Sequence, residues 1–132
     1  MKVSIILPAR NAEKTIERSV RSVLDQTYKN FELICVVNNS GDKTEDILLK
    51  FAAEDDRVVV TSSSAGLVPA LNKGLSVATS EIIGRQDADD YWYPNKLESQ
   101  VSFLENNSDI DILGVQIRSV NEKFEETRQE PK

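Results

Sequence analysis

The sequence predicts an α/β protein, a three-layer α/β/α sandwich built on a mainly parallel sheet. Three observations predict it. Short apolar runs alternate with longer amphipathic segments along the chain, the pattern of strands joined by helical crossovers. The run Phe31-Glu32-Leu33-Ile34-Cys35-Val36-Val37 is mostly apolar and β-branched, as suits a strand buried on both faces. Clusters of small polar residues, such as Asn38-Asn39-Ser40-Gly41-Asp42, separate the two kinds of segment and carry turn chemistry.

Each element has its own signal. Val3 to Leu7 is the first strand, which stops at Pro8. Asn11 can cap the next helix, because its side-chain oxygen can accept an orphan backbone N–H. Ile16, Val20, Val23, Leu24 and Thr27 then lie on one helical face. After the second strand and its turn, Thr44, Ile47, Leu48 and Phe51 mark a second helix. Val58 to Val60 is a short third strand, and Thr61 to Gly66 a loop. Leu67, Ala70, Leu71, Gly74, Leu75 and Ala78 give a third helix. Pro69 falls early in it, where a missing N–H costs little. Glu81 to Arg85 is the fourth strand. Pro94 opens a fourth helix with Leu97, Val101 and Leu104 on its apolar face, and Ile110 to Ile117 reads as a fifth strand.

Composition narrows the function. Among 132 residues, 16 are Lys or Arg and 22 are Asp or Glu, a net charge of −6. That length supports one domain. A negative balance argues against nucleic acid or anionic lipid as a partner. The chain has no His, which excludes a histidine base, a histidine metal site and a Ser-His-Asp triad within it. Cys35 is the single cysteine and reads as a core residue. No apolar run approaches the roughly 18–20 residues that cross a membrane, and the N-terminal apolar stretch is too short for a signal peptide. The expected location is cytoplasmic, with peripheral association at the inner face of the membrane left open.

In parallel α/β sheets, ligands bind beyond the carboxyl ends of the strands. The segments to inspect are therefore 8–11, 38–42, 61–66 and 86–93. Asp87-Ala88-Asp89-Asp90 stands out among them. Three carboxylates in four residues repel one another, and Mg²⁺ or Mn²⁺ relieves this while bridging to phosphate oxygens. A solvated acidic turn before the helix at Pro94 is the alternative. The glycine patterns of a dinucleotide-binding Rossmann domain and of a P-loop are both absent. A receiver-like signalling domain also alternates strands and helices, but here Pro8 and Thr61 stand where it needs carboxylates.

The segments 3–11, Ser22-Val23-Leu24-Asp25-Gln26-Thr27, Phe31-Glu32-Leu33-Ile34, Ala70-Leu71-Asn72-Lys73-Gly74 and Gly84-Arg85-Gln86-Asp87-Ala88-Asp89-Asp90 occur in that order. Together they resemble the nucleotide-binding half of a family 2 glycosyltransferase of the GT-A fold. The last segment is most similar to bacterial transferases that build surface polysaccharides. The resemblance implies a Rossmann-like sheet of strand order 3-2-1-4, truncated relative to a full enzyme. It implies a domain over residues 1–118 that binds a nucleoside diphosphate sugar, followed by a polar tail or hairpin arm over 119–132.

The resemblance also implies roles. Asp89 would bind Mn²⁺ or Mg²⁺ at a DxD motif, and Asp87 would face the ribose or the metal. Pro8, Ala9 and Arg10 would line the base pocket, where Arg10 either stacks on the base or stays a solvated cation. Asn38 and Asn39 stand where the family usually has an Asp pair, so the base is open, with a UDP-sugar favoured as donor. An Asx turn explains them equally well. Asn72 joins the nucleotide-binding set. Tyr91, Trp92 and Tyr93 either contact the donor sugar or pack over the sheet's end. The activity implied is inverting transfer of a sugar to a glycan or lipid-linked acceptor, and no residue here fills the role of catalytic base. The rival is a non-catalytic nucleotide- or metal-binding module that acts with a partner. Finally, Ile110 to Ile117 as an unpaired strand predicts a homodimer through that edge, with a hairpin turning near Asn121-Glu122-Lys123 and Phe124, or disorder, as alternatives.

Overall fold

The computed structural model describes residues 1–121, 123 and 126–129. It forms two compact units, Met1–Val101 and Ser102–Lys132. In the first, β1 (Val3–Ala9), β2 (Phe31–Asn38), β3 (Val58–Ser63) and β4 (Ile82–Arg85) make one sheet. All pairings are parallel and the order is β3-β2-β1-β4, the order that the resemblance implies. Crossovers are α1 (Ile16–Leu24), α2 (Thr44–Glu54) and α3 (Leu67–Val77), and α4 (Lys96–Asn106) follows β4.

Burial explains the layering. All eight residues of β2 are buried, because helices cover both faces. One face carries Ile5, Leu7, Leu33 and Cys35 under Ile16, Val20 and Val23 of α1, Leu48 and Phe51 of α2, and Leu97 and Val101 of α4. The other carries Ile6, Ile34 and Val36 under Ala70 of α3. Each such large aliphatic side chain contributes about 1.5–3 kcal/mol by leaving water. Burial pushes the Cys35 thiol up to about 12, so it is an inert core residue. Helix α3 sits close on the sheet at Gly74, where a Cβ would meet Ile6 Cγ2 at 2.5 Å. Gly66, at φ 117, is the residue from which α3 starts, a backbone state natural only to glycine.

Several expectations need correction. β1 continues through Pro8 to Ala9. The Ile6 carbonyl accepts from Gln86 N–H on the β4 side, and two residues on Pro8 faces the same side, where β4 pairing has ended at Ile6↔Arg85. The missing proline N–H therefore breaks no ladder bond. Asn11 does not cap α1. It lies at φ 47, and Thr15 precedes the helix without a side-chain cap. Thr27 lies beyond the end of α1. β3 runs on to Ser63, because 61–63 pair with Val36, Val37 and Asn38.

The second unit differs most. Residues 110–117 form no strand, and Ile112 is 92% exposed. Alternating apolar residues without a hydrogen-bonding neighbour do not make a strand. The strand edge on which the homodimer expectation rested is therefore absent among the described residues, and the structure does not support that expectation. β5 (Arg118–Val120) pairs antiparallel with β6 (Glu126–Gln129). Glu122 and Phe124 lie outside the described residues.

Two polar networks hold the first unit. Gln26 is fully buried. Its Nε2 donates to the Ser22 and Tyr93 carbonyls, at 3.0 and 2.7 Å, and its Oε1 accepts from Leu97 N–H at 2.9 Å. That N–H is an orphan of the first turn of α4, so the side chain of Gln26, just past the end of α1, caps α4. At the opposite end of the sheet, buried Glu32 accepts from Ser4 Oγ and from the N–H and Oγ1 of Thr79, and lies 3.6 Å from Lys2 Nζ. Burial pushes the Glu32 carboxyl up. The hydrogen bonds from Thr79 and Ser4, with Lys2, outweigh that and hold it below 4.5.

Two predictions follow from these networks. Gln26→Leu leaves the Leu97 N–H unpaired in a buried site, at about 1–3 kcal/mol, while the Tyr93 carbonyl keeps the bond from Lys96 N–H at 3.1 Å. Urea unfolding should show a loss of about 1–3 kcal/mol, and a loss below about 0.5 kcal/mol would refute the capping role. Glu32 has a depressed folded-state pKa, so its contribution is complete above 4.5 and is lost as pH falls through the lower folded value. Glu32→Gln should therefore flatten the fall of the urea midpoint at pH values below 4.5. An unchanged slope would show that other carboxylates dominate acid unfolding.

Candidate functional site

The loops at the carboxyl ends of β1, β2, β3 and β4 are joined to one another and to α1 by hydrogen bonds. The β1–α1 and β2–α2 loops interlock. Asn11 Oδ1 accepts from Gly41 N–H at 2.7 Å, and Asn11 N–H donates to Ser40 Oγ at 3.1 Å. Ala12 N–H donates to Thr44 Oγ1 at 2.8 Å, and Glu13 N–H to Asp42 Oδ2 at 3.2 Å. Asn11 and Asn39 both take left-handed backbone, at φ 47 and 55, which asparagine tolerates better than most residues. The hydroxyl of Thr44, with further backbone donors, holds the Asp42 carboxyl below its usual value. Asn38 Oδ1 accepts from Gly66 N–H at 2.9 Å and so ties the β2 end to the start of α3.

The acidic turn leaves β4 and is pinned to α1. Ser19 Oγ donates to the Asp87 carbonyl at 2.9 Å. Gln86 is 2% exposed, and its Nε2 donates to Ser19 Oγ at 3.1 Å and to the Asp90 carbonyl at 3.0 Å. Trp92 N–H donates to Ser22 Oγ at 3.1 Å, and Gln26 holds Tyr93 beyond it. The backbone of the turn is thus held on the protein side, while Asp89 and Asp90 are exposed and Asp87 is half-buried. Burial, then the charges of Asp89 and Asp87, push the Asp90 carboxyl up.

The predicted residues divide accordingly. Pro8 and Ala9 lie on β1, the first half-buried and the second buried, and Arg10 is exposed just after them. Asn38 is buried with its carbonyl oxygen committed to Gly66, whereas Asn39 is exposed. Asn72 is exposed on α3, and the hydrogen bonds that join the four loops do not include it. Asp87 Oδ1 lies 3.3 Å from Arg85 Nη2. Among the aromatics, Trp92 is buried with Lys96 Nζ 4.0 Å from its ring centre, and burial lowers the Lys96 ammonium. The Arg18 guanidinium covers Tyr91 at 3.9 Å, and Tyr93 meets Tyr91 edge-on and is 60% exposed.

Sequence reasoning missed Ser19, Ser22, Gln26 and Gln86. Three of them gave a signal. Ser19 and Ser22 on α1 and Gln26 just past its end repeat at i, i+3 and i+7, a polar stripe beside the apolar one. Gln86, a lone amide beside three acids, gave none.

The donor set suits a hard divalent cation. Asp87 and Asp89 offer carboxylate oxygens from one short turn, and no three metal-ligating side chains converge among the described residues. A cation held by one or two carboxylates draws its remaining ligands from substrate phosphates and water, as Mg²⁺ commonly does. The residues present fit such a partial site.

Comparison with known proteins agrees with this arrangement. The profile of Glycosyl transferase family 2 matches residues 4–131. The chain is 40% identical over 106 residues to the UDP-Glc:alpha-D-GlcNAc-diphosphoundecaprenol beta-1,3-glucosyltransferase WfgD of Escherichia coli, covering 80% of this chain and 42% of that protein. TarS 1-349 of S. aureus superposes with a TM-score of 0.75 at 27% identity, covering 82% of this chain and 33% of that one. Structures of that protein with UDP and with UDP-GlcNAc are also similar to this chain. The mannosyltransferase PcManGT of Pyrobaculum calidifontis, in complex with GDP-Man and Mn²⁺, superposes with a TM-score of 0.69 at 28% identity over 77% of this chain and 32% of that one. The chain spans under half the length of the curated relatives it matches. With the sheet order, the interlocked loops and the family profile in agreement, the chain belongs to glycosyl transferase family 2.

Proposed function

We propose that this chain is the donor-binding part of an inverting glycosyltransferase that takes a nucleoside diphosphate sugar, a UDP-sugar first among them, in the presence of Mn²⁺ or Mg²⁺. The observation that carries the reading is the acidic turn Asp87–Asp90, fastened by its backbone to α1 beyond the end of a parallel strand. Two relatives support the ligand class, since TarS has been solved with UDP-GlcNAc and PcManGT with GDP-Man and Mn²⁺.

The parts divide the work. The β1 end with Arg10 and the β2 end with Asn39 form a rigid shelf for the nucleoside, because crossed hydrogen bonds fix both loops before any ligand arrives. Such preorganisation lowers the entropic cost of binding. Asp87 and Asp89 would hold the cation, which, when bound, supplies Lewis-acid charge at the diphosphate. In the reaction the acceptor hydroxyl oxygen bonds to the anomeric carbon, the bond from that carbon to the diphosphate oxygen breaks, and the hydroxyl proton passes to a base. In this reading neither the acceptor site nor that base is assigned to a residue of this chain. A glycan or lipid-linked acceptor is the class that WfgD suggests, and a cytoplasmic location, at the inner face of the membrane for a lipid-linked acceptor, is part of the same proposal.

The test is calorimetry of residues 1–132 with UDP, and separately GDP, in Mn²⁺ or in EDTA. We expect Mn²⁺ to tighten UDP binding and Asp89→Ala to weaken it at least tenfold, about 1.4 kcal/mol. The melting temperature of Asp89→Ala should stay within a few degrees of wild type, since an exposed carboxylate contributes little to stability. Equal UDP affinity in Mn²⁺ and EDTA would sink the metal reading.

A further inference from the structure

The acidic turn carries three carboxylates, yet the groups that fix its shape are neutral amides and hydroxyls. The backbone closes on itself through Asp90 N–H to the Asp87 carbonyl at 3.2 Å. The same two residues are then bridged from inside the protein. Ser19 Oγ donates to the Asp87 carbonyl, Gln86 Nε2 donates to Ser19 Oγ, and the second proton of that amide goes to the Asp90 carbonyl. One buried side-chain amide thus braces both ends of the turn, and its own backbone N–H is fixed to β1 through the Ile6 carbonyl at 3.0 Å.

This brace has a chemical consequence. Both donated bonds of the Gln86 amide are used, so a carboxylate or thioether of equal size there cannot replace it. A turn of like charges tends to splay when it is not held, and every ångström of splay costs a small cation with strict octahedral demands. Groups beyond the ligands that orient them typically change metal affinity 10–100-fold.

We propose that Gln86, acting through Ser19 and the Asp87 and Asp90 carbonyls, is a positioning residue that sets the metal affinity of the acidic turn without touching the metal. The proposal deepens the function given above and rests on it. Gln86 makes no contact that requires nucleotide, so its effect falls on the cation and spares the nucleoside shelf.

The experiment uses residues 1–132 as wild type, Gln86→Met, Ser19→Ala, Ser19→Thr and Asp89→Ala. Mn²⁺ binding is read from loss of the free-ion electron paramagnetic resonance signal in the presence of UDP. UDP binding in EDTA is read by calorimetry, and backbone hydrogen exchange over residues 87–92 is measured without metal. We expect Gln86→Met to weaken Mn²⁺ binding about tenfold, to leave UDP affinity in EDTA unchanged, and to speed exchange at the Asp90 amide. Ser19→Ala should act in the same direction, and Ser19→Thr, which keeps the hydroxyl, should restore most of the affinity. Should Gln86→Met fail to fold, the Ser19 pair carries the test. Mn²⁺ affinity within twofold of wild type for both Gln86→Met and Ser19→Ala, with Asp89→Ala impaired, would overturn the positioning role alone. A wild-type chain that takes up no Mn²⁺ would instead overturn the functional reading on which the role depends.

Discussion

The fold and the candidate site both depend on α1. Its apolar stripe, Ile16, Val20 and Val23, is buried against the sheet. Ser19 and Ser22 on its polar side, with Gln26 just past its end, supply donors and acceptors to a segment running from Asp87 to Leu97. That segment leaves a sheet edge and has no ladder of its own. Its backbone groups would otherwise sit half-buried and unpaired, at a cost comparable to the hydrogen bonds they lack. One short helix and the turn at its end thereby contribute to three things: the packing of one face, the start of α4 and the place of the acidic turn.

This division of labour explains what the sequence disclosed. Hydrophobic periodicity reports burial, so the first four strands and the four helices were legible from Val3, Phe31, Ile16, Leu48 and their neighbours. Their ends were less so. Pro8 reads as a stop, yet it continues β1 because the adjacent side of the ladder has already ended. Asn11 has cap chemistry, but a partner on another loop, Gly41, claims its oxygen. The segment 110–117 shows the limit most plainly. It has the apolar residues of a strand without a neighbouring chain to pair with, and pattern alone does not supply one.

The candidate site was legible where it is charged and hidden where it is neutral. Asp87, Asp89 and Asp90 announce themselves because like charges rarely cluster without a reason. Gln86 is an ordinary residue whose role comes from distance and burial and is invisible in a linear pattern, whereas Ser19 shows only as one member of a polar stripe. Asn38 lies between these cases. Its position was noticed, but its carbonyl oxygen serves the turn into α3, so only the amide side of that residue remains for a ligand.

The short pairing of β4 has a consequence for the order in which the chain assembles. β1 and β2 share seven register pairs, whereas β4 meets β1 through four. The first strands are joined by modest crossovers, but β4 must find β1 from far along the chain, and distant pairings form slowly because their loop entropy is lost first. Sheet strands 1 to 3 can therefore form a native-like nucleus during synthesis before β4 has emerged. The acidic turn is attached to the edge strand with the shorter pairing, four register pairs against the six of β3 on β2, so that edge is expected to open more readily. Any ligand that braces the turn would therefore also act as a clasp on the β4 edge of the sheet, because binding to the folded form alone stabilises it.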